Sequence, residues 1–315
     1  MSREQLNELT EEIDDLIATR DVLAAKVIRE KTGAPYDPHR EAELGSEDVW
    51  LPILRRVRTL VGADVGLGRL PIREPAIRGH GFQLIAGPCS VESEEHARVT
   101  CAGLSEYGIL YVRGGCWKPR TFASSWRGHG FDAVTWLGEA AHENQQRTVV
   151  EILDPRHFDD PGVQTFVDVV QIGARNGQNY ALLEAAREFG RPVLLKRAPG
   201  ATVEEWLGAS DYLGDVPVTL CERGVVGFDP CLRNQLDLPG AILARALGSV
   251  SVIVDPSHAT GISALVLPLT LAAKAAGLDG AMVEAHPCPV EALTDAEQTV
   301  TLDYVGVMLR HLADL

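Results

Sequence analysis

The chain has 315 residues, a net charge of -15 and 45% hydrophobic residues. So acidic a protein is a poor partner for nucleic acid or an anionic membrane, and no apolar run is long enough to span a bilayer. Six cysteines without disulfide-framework spacing fit a reducing compartment, and the polar, acidic start from Met1 to Glu12 carries no secretory signal, so a cytoplasmic protein is expected.

Leu6, Leu9, Ile13, Leu16, Ile17, Leu23, Ala24 and Val27 recur at three- and four-residue steps. That spacing predicts one long amphipathic helix over residues 3–31, ended by Gly33 and Pro35. A short second helix is expected from Asp37-Pro38 onward and a third over residues 47–61. Three helices bury too little surface to fold alone, so the segment is expected to dimerise or dock, and a homo-oligomer is expected. Ile13-Asp14, Arg20, Leu23-Ala24, Val27, Lys31, Asp37-Pro38 and Arg40-Glu41 resemble the all-helical chorismate mutase domain. Thr10 stands where that family usually has an arginine, and no catalytic glutamine is found near the end of the third helix. Mutase activity is therefore not expected. The segment is read as a dimerisation or regulatory module, with chorismate or prephenate as the effector that the resemblance implies.

Residues 62–81 are rich in Gly, Pro and Arg and lead into the first strand. The expected organisation is a helical segment at 1–65, a linker at 66–81 and a main domain at 82–315. From Phe82 onward apolar runs alternate with helix-length stretches. Strands are expected at 82–86, 109–113, 148–152, 167–171, 192–196, 216–221, 250–254 and 280–284, with helices such as 94–107, 180–189 and 265–276 between them. Eight such units predict a closed (β/α)8 TIM barrel, not an open sheet. Gly87-Pro88-Cys89 after the first strand is not a dinucleotide-binding glycine fingerprint.

In such a barrel the carboxyl ends of the strands share one face. Here those ends carry Cys89, Arg113-Gly114-Gly115, Glu151, Gln171 with Arg175, Lys196-Arg197, Glu222-Arg223, Asp255-Pro256-Ser257-His258, and Glu284 with His286. Asp295 follows in the last loop. Cys89, His258, Glu284 and Asp295 form one group, a mixed thiolate, imidazole and carboxylate set suited to a divalent first-row ion. They come from distant loops without a Cys-x-x-Cys pair, unlike a structural zinc site. The second group is cationic: Arg113, Lys118, Arg120, Arg175, Lys196, Arg197 and Arg223. So many cations at one mouth point to anionic, phosphorylated ligands, and the Gly114-Gly115 pair is expected to let backbone approach them.

Ala86-Gly87-Pro88-Cys89-Ser90-Val91-Glu92-Ser93, Arg113-Gly114-Gly115, Lys118-Pro119-Arg120-Thr121, Gln171-Ile172-Gly173-Ala174-Arg175-Asn176, Cys221-Glu222-Arg223-Gly224, Asp255-Pro256-Ser257-His258-Ala259 and Val283-Glu284-Ala285-His286-Pro287 together resemble the 3-deoxy-D-arabino-heptulosonate 7-phosphate (DAHP) synthases. The closest branch is the one often fused to a chorismate mutase. The resemblance implies an aldol-type condensation of phosphoenolpyruvate with erythrose 4-phosphate, the entry to the shikimate pathway. It implies a divalent metal on Cys89, His258, Glu284 and Asp295, with Mn²⁺ first and Co²⁺, Zn²⁺ or Fe²⁺ as alternatives. It assigns Arg113, Lys118, Arg175, Lys196 and Arg223 to phosphoenolpyruvate, and Arg120 and Thr121 to the aldose phosphate. Lys118 is expected to give a proton to the new alkoxide, and Glu151 to handle the attacking water. Three departures bear on the acceptor. Phe122-Ala123 replaces the usual Ser-Pro, Val226-Gly227 replaces Arg-Thr, and Ile262-Ser263 replaces two arginines. A different phosphorylated aldose, or a non-catalytic metabolite-binding regulator of chorismate mutase, is the alternative.

Overall fold

The computed structural model describes residues 73–119, 122, 124–248 and 250–315. The helices expected within 1–65, and Arg120 and Thr121, lie outside the described residues.

Eight parallel strands alternate with helices: β1 (Gln83–Gly87), α1 (Glu94–Glu106), β2 (Tyr111–Gly114), α2 (Phe131–Glu143), β3 (Arg147–Glu151), α3 (Pro161–Phe166), β4 (Val169–Ile172), α4 (Tyr180–Phe189), β5 (Val193–Lys196), α5 (Val203–Asp211), β6 (Val218–Glu222), α6 (Leu238–Gly248), β7 (Ser251–Val254), the short α7 (Pro256–Thr260), α8 (Val266–Ala275) and β8 (Gly280–His286). Each strand pairs with the next, and β1 pairs with β8 from Gln83 opposite Gly280 to Gly87 opposite Glu284, which closes the barrel. A two-residue strand β9 (Val300–Thr301) adds to the end of β8 before the last helix α9 (Leu302–Ala313). The expected strands all form, displaced by one or two residues at their ends.

Local chemistry sets the helix starts. Ser93 caps α1, its hydroxyl accepting from the His96 N–H at 3.1 Å. Thr202 and Glu205 cap α5 reciprocally. Asp255 caps α7 through the His258 N–H at 2.9 Å, so the same carboxylate that starts the helix stands beside the imidazole that the helix carries.

Inside the barrel each strand contributes one residue to a buried apolar layer: Ile85, Tyr111, Val149, Val169, Leu194, Cys221, Ile253 and Met282. Ala76 and Ile77 join this layer from the stretch expected as linker. They are held there by the Ile77 N–H donating to Thr219 Oγ1 at 3.1 Å and the Arg78 N–H donating to the Tyr111 hydroxyl at 3.0 Å. Ala76 and Ile77 thus fill part of the barrel interior. No helix among the described residues is long and apolar enough to cross a membrane.

Candidate active site

Side chains two apart on a strand point to the same face. Two residues beyond each member of the apolar layer come Gly87, Arg113, Glu151, Gln171, Lys196, Arg223, Asp255 and Glu284. The layer that crowns the hydrophobic one is therefore made almost wholly of ionisable and amide side chains, pointing into the barrel at its carboxyl end. Gly87 is the exception because a Cβ there would sit 2.0 Å from the Arg113 carbonyl oxygen.

Four of the expected site residues meet. One donor atom each from Cys89, His258, Glu284 and Asp295 lies within 4.8 Å of the others. The loop after β1 and the loop after β8 are laced together to achieve this. The Leu293 N–H donates to Glu92 at 2.7 Å, Ser90 and Thr294 share a hydroxyl bond of 2.6 Å, and the Cys89 thiol donates to Asp295 Oδ2 at 2.9 Å.

The protonation pattern fits a cation among these four. His258 Nδ1 stands 2.7 Å from Asp255 Oδ2, which orients the ring so that Nε2 faces Glu284 Oε1 at 3.2 Å. Burial lowers the His258 pKa, while Asp255 and Glu284 work to raise it. A positive charge between His258 Nε2 and Glu284 Oε1, a ring proton or an ion, satisfies both atoms. Glu284 is fully buried; burial opposes its charge, but His258 and Arg113 outweigh it and hold the carboxyl below its usual range. Burial pushes the Cys89 thiol up to about 12, with Glu284 adding to the rise and Lys118 and Arg113 opposing it. An ion that takes the thiolate must displace that proton.

A second grouping, Glu92, His96 and His286, is equally compact but chemically different. His96 Nδ1 accepts the Glu92 N–H at 3.2 Å and His286 Nδ1 accepts the Cys288 N–H at 3.0 Å. Both Nδ1 atoms are thus taken by backbone N–H groups. The two rings pack at 4.4 Å and bind the loop after β8 to the start of α1.

The cations divide into free and engaged. Arg113 donates to Glu284 Oε1 and to the Pro88 carbonyl, both at 2.9 Å. Lys196 pairs with Asp255 at 2.5 Å. Arg197 faces away from the open mouth, tied to Glu222 at 3.0 Å and Asp237 at 2.8 Å, which corrects its place among the ligand-facing cations. Arg223 is buried with no carboxylate in ion-pair range among the described residues, and burial lowers its pKa despite Asp255. Lys118 Nζ is 2.8 Å from Cys89 Sγ and 3.0 Å from the Cys89 carbonyl oxygen. Arg175 is exposed and donates to the Pro119 carbonyl at 3.1 Å, on the loop that carries Lys118. Gly115 serves the packing of this loop: a Cβ there would stand 2.2 Å from the Cys89 carbonyl. Gly114 leaves room for Leu137 and Val91. Glu151 is half-buried, its carboxylate lying over Gly173 and 3.5 Å from Gln171 Nε2.

Sequence reasoning left three residues of this site without a role. Asp255 joins His258 to Lys196, and its position two residues past Ile253 was the available signal. Arg233 and Gln298 contact Asp295 and Glu284 from loops that carry no strand-end pattern.

A family profile described as the DAHP synthetase I family matches residues 69–314. A phospho-2-dehydro-3-deoxyheptonate aldolase of Thermotoga maritima is 40% identical over 241 residues, 75% of this chain and 71% of its own length. A 2-dehydro-3-deoxyphosphooctonate aldolase of Desulfotalea psychrophila is 32% identical, covering 74% of this chain and 89% of its own. The crystal structure of the Thermotoga maritima DAHP synthase superposes with a TM-score of 0.71 at 40% identity, over 75% of this chain and 70% of that one.

Proposed function

Because the chain belongs to the DAHP synthetase I family, we propose that it condenses phosphoenolpyruvate with erythrose 4-phosphate to give DAHP and phosphate, using a divalent ion held by Cys89, His258, Glu284 and Asp295. The observation that carries this reading is the convergence of one ligand atom each from Cys89, His258, Glu284 and Asp295 within 4.8 Å, with His258 Nε2 3.2 Å from Glu284 Oε1. Mn²⁺ is the first candidate, and Co²⁺, Zn²⁺ or Fe²⁺ suit the same mixed donors. When bound, the ion supplies Lewis acidity to the aldehyde oxygen.

The chain's own residues do the rest. Arg223, the buried cation without a carboxylate partner, together with Lys196, Arg113 and Arg175, grips the phosphate and carboxylate of phosphoenolpyruvate. Arg120 and Thr121 hold the phosphate of the aldose. The methylene carbon of phosphoenolpyruvate attacks the aldehyde carbon, forming the new C–C bond and leaving positive charge at C2. Lys118 Nζ gives a proton to the aldehyde oxygen as it becomes an alkoxide. Glu151 takes a proton from the water that adds to C2. The C2–O bond to phosphate then breaks as the C2 hydroxyl passes its proton to the departing phosphate, leaving the ketone and inorganic phosphate.

The acceptor's length is the finer question. The relatives' printed names, a heptonate and an octonate, differ by one carbon. Exposed Phe122, Val226 and Ile262 stand on loops after β2, β6 and β7, at the positions of the three departures. That apolar replacement favours, as the second reading, a phosphorylated aldose other than erythrose 4-phosphate. Phosphate release from phosphoenolpyruvate with Mn²⁺ and a panel of four- and five-carbon aldose phosphates separates the readings. Fastest release with erythrose 4-phosphate supports the first, and faster release with another aldose supports the second. No release with any aldose would contradict both and leave a regulatory barrel.

A further inference from the structure

We propose that Arg233 and Gln298 form one brace that positions the carboxylates of Asp295 and Glu284 for the ion. The proposal rests on reading Cys89, His258, Glu284 and Asp295 as the ion site. Each of these two carboxylates has one oxygen turned toward the other site residues. Asp295 Oδ2 faces the Cys89 thiol at 2.9 Å, and Glu284 Oε1 faces His258 Nε2 at 3.2 Å. The other oxygen of each is held by the brace. Arg233 Nη1 donates to Asp295 Oδ1 at 3.2 Å and to Gln298 Oε1 at 3.0 Å, and Gln298 Nε2 donates in turn to Glu284 Oε2.

Gln298 is 2% exposed and has both ends of its amide used, so its orientation is fixed. The Arg233 N–H donates to the Thr260 carbonyl at 3.0 Å, which anchors the brace to the end of α7, the helix that carries His258. Through its backbone N–H and its guanidinium, Arg233 thus joins the loop after β6 to the end of α7 and to the loop after β8. Asp295 needs such help because its backbone is left-handed, φ +55, a conformation that a non-glycine residue keeps only when its surroundings impose it. Thr299 Oγ1 supports the same turn by donating to the Asp295 carbonyl at 2.8 Å. Arg233 is half-exposed, so its ion pair alone adds little to folding. Its effect falls on where the carboxylate points.

Outer partners of metal ligands change affinity by about 10- to 100-fold when removed. The test uses the metal-stripped full-length chain, titrated with MnCl₂ by calorimetry and with CoCl₂ by absorption, in the parent, Arg233→Ala, Arg233→Lys, Gln298→Leu and the double variant Arg233→Ala/Gln298→Leu. Each single removal should weaken Mn²⁺ by about 10- to 100-fold. The double variant should fall little further, since the two residues act as a unit. Arg233→Lys should recover part of the loss. The cobalt spectrum should change shape, while the melting temperature of the metal-free protein stays at the parent value in Arg233→Ala. Parental affinity in Arg233→Ala overturns the brace, as does a loss that only follows a lower metal-free melting temperature, or singles whose effects multiply. Should Gln298→Leu fail to fold, Arg233→Ala and Arg233→Lys decide. A parent that binds neither ion would overturn the ion-site reading beneath the proposal, whereas a binding parent with unaffected variants overturns the brace alone.

Discussion

Alanine at Gly173 should impair the water-handling step without harming the fold. Gly173 has an ordinary extended backbone, φ -69 and ψ 160, so alanine brings no conformational strain. Its Cβ would, however, stand 1.7 Å from Glu151 Oε1 and 2.6 Å from Cδ. An ordinary contact begins near 3.4 Å, so the carboxylate must retreat by about 1.7 Å. Glu151 is half-buried and can do so by leaving its preferred rotamer, at a stability cost of about 0.5–1.5 kcal/mol. A reacting group misplaced by about 1 Å loses on the order of 10²-fold in rate. The expected outcome is therefore a kcat lower by about 10²-fold, with unchanged affinity for Mn²⁺ and a nearly parental melting temperature. Steady-state phosphate release at saturating substrates measures it. Adding Gly173→Ala to Glu151→Ala should change nothing further, because the clashing partner is already gone. Parental turnover in Gly173→Ala, or an equal loss in the Glu151→Ala background, would refute the role given to Glu151.

Lys118→Met should lose at least about 10²-fold in turnover, the usual worth of a general acid. It should also weaken Mn²⁺ binding at neutral pH, because Lys118 Nζ is the cation 2.8 Å from the Cys89 sulfur that favours the thiolate. Binding that does not recover as pH rises would contradict that second effect. His96 gives a separate pH test. Burial, aided by His286 and opposed by Glu92, lowers its pKa to about 4, below the unfolded value of about 6.5. As pH falls the unfolded chain takes the proton first, so stability is full above about pH 6.5 and is lost progressively toward pH 4. His96→Gln, which keeps an acceptor for the Glu92 N–H, should flatten that fall. Denaturant unfolding at pH 7 and pH 5 reads the difference, and an unaltered slope would count against it.

Much of the site was legible because barrel strands are short and strictly alternating. Once Ile85, Tyr111 and Met282 are recognised as core, the residues two further on must share their face, and these are Gly87, Arg113 and Glu284. The convergence of Cys89, His258 and Asp295 could be inferred only from the closure of the barrel, since loops bring them in. What stayed hidden depends on direction within a shared neighbourhood. Lys196-Arg197 reads as a pair of ligand-facing cations, yet adjacent strand residues point to opposite faces, and Arg197 turns to Glu222 and Asp237. Gly114-Gly115 signals close approach, but not that another segment of chain is what approaches. Arg233 and Gln298 lie in irregular loops, where no periodicity reports which way a side chain faces.

The most direct measurement is the absorption spectrum of the metal-stripped protein titrated with Co²⁺, compared between the parent and Cys89→Ser. One ion per chain with a near-ultraviolet thiolate-to-cobalt band, absent from Cys89→Ser, is the predicted result. Failure of the parent to bind Co²⁺, or the same band in both proteins, would contradict an ion seated on Cys89, His258, Glu284 and Asp295.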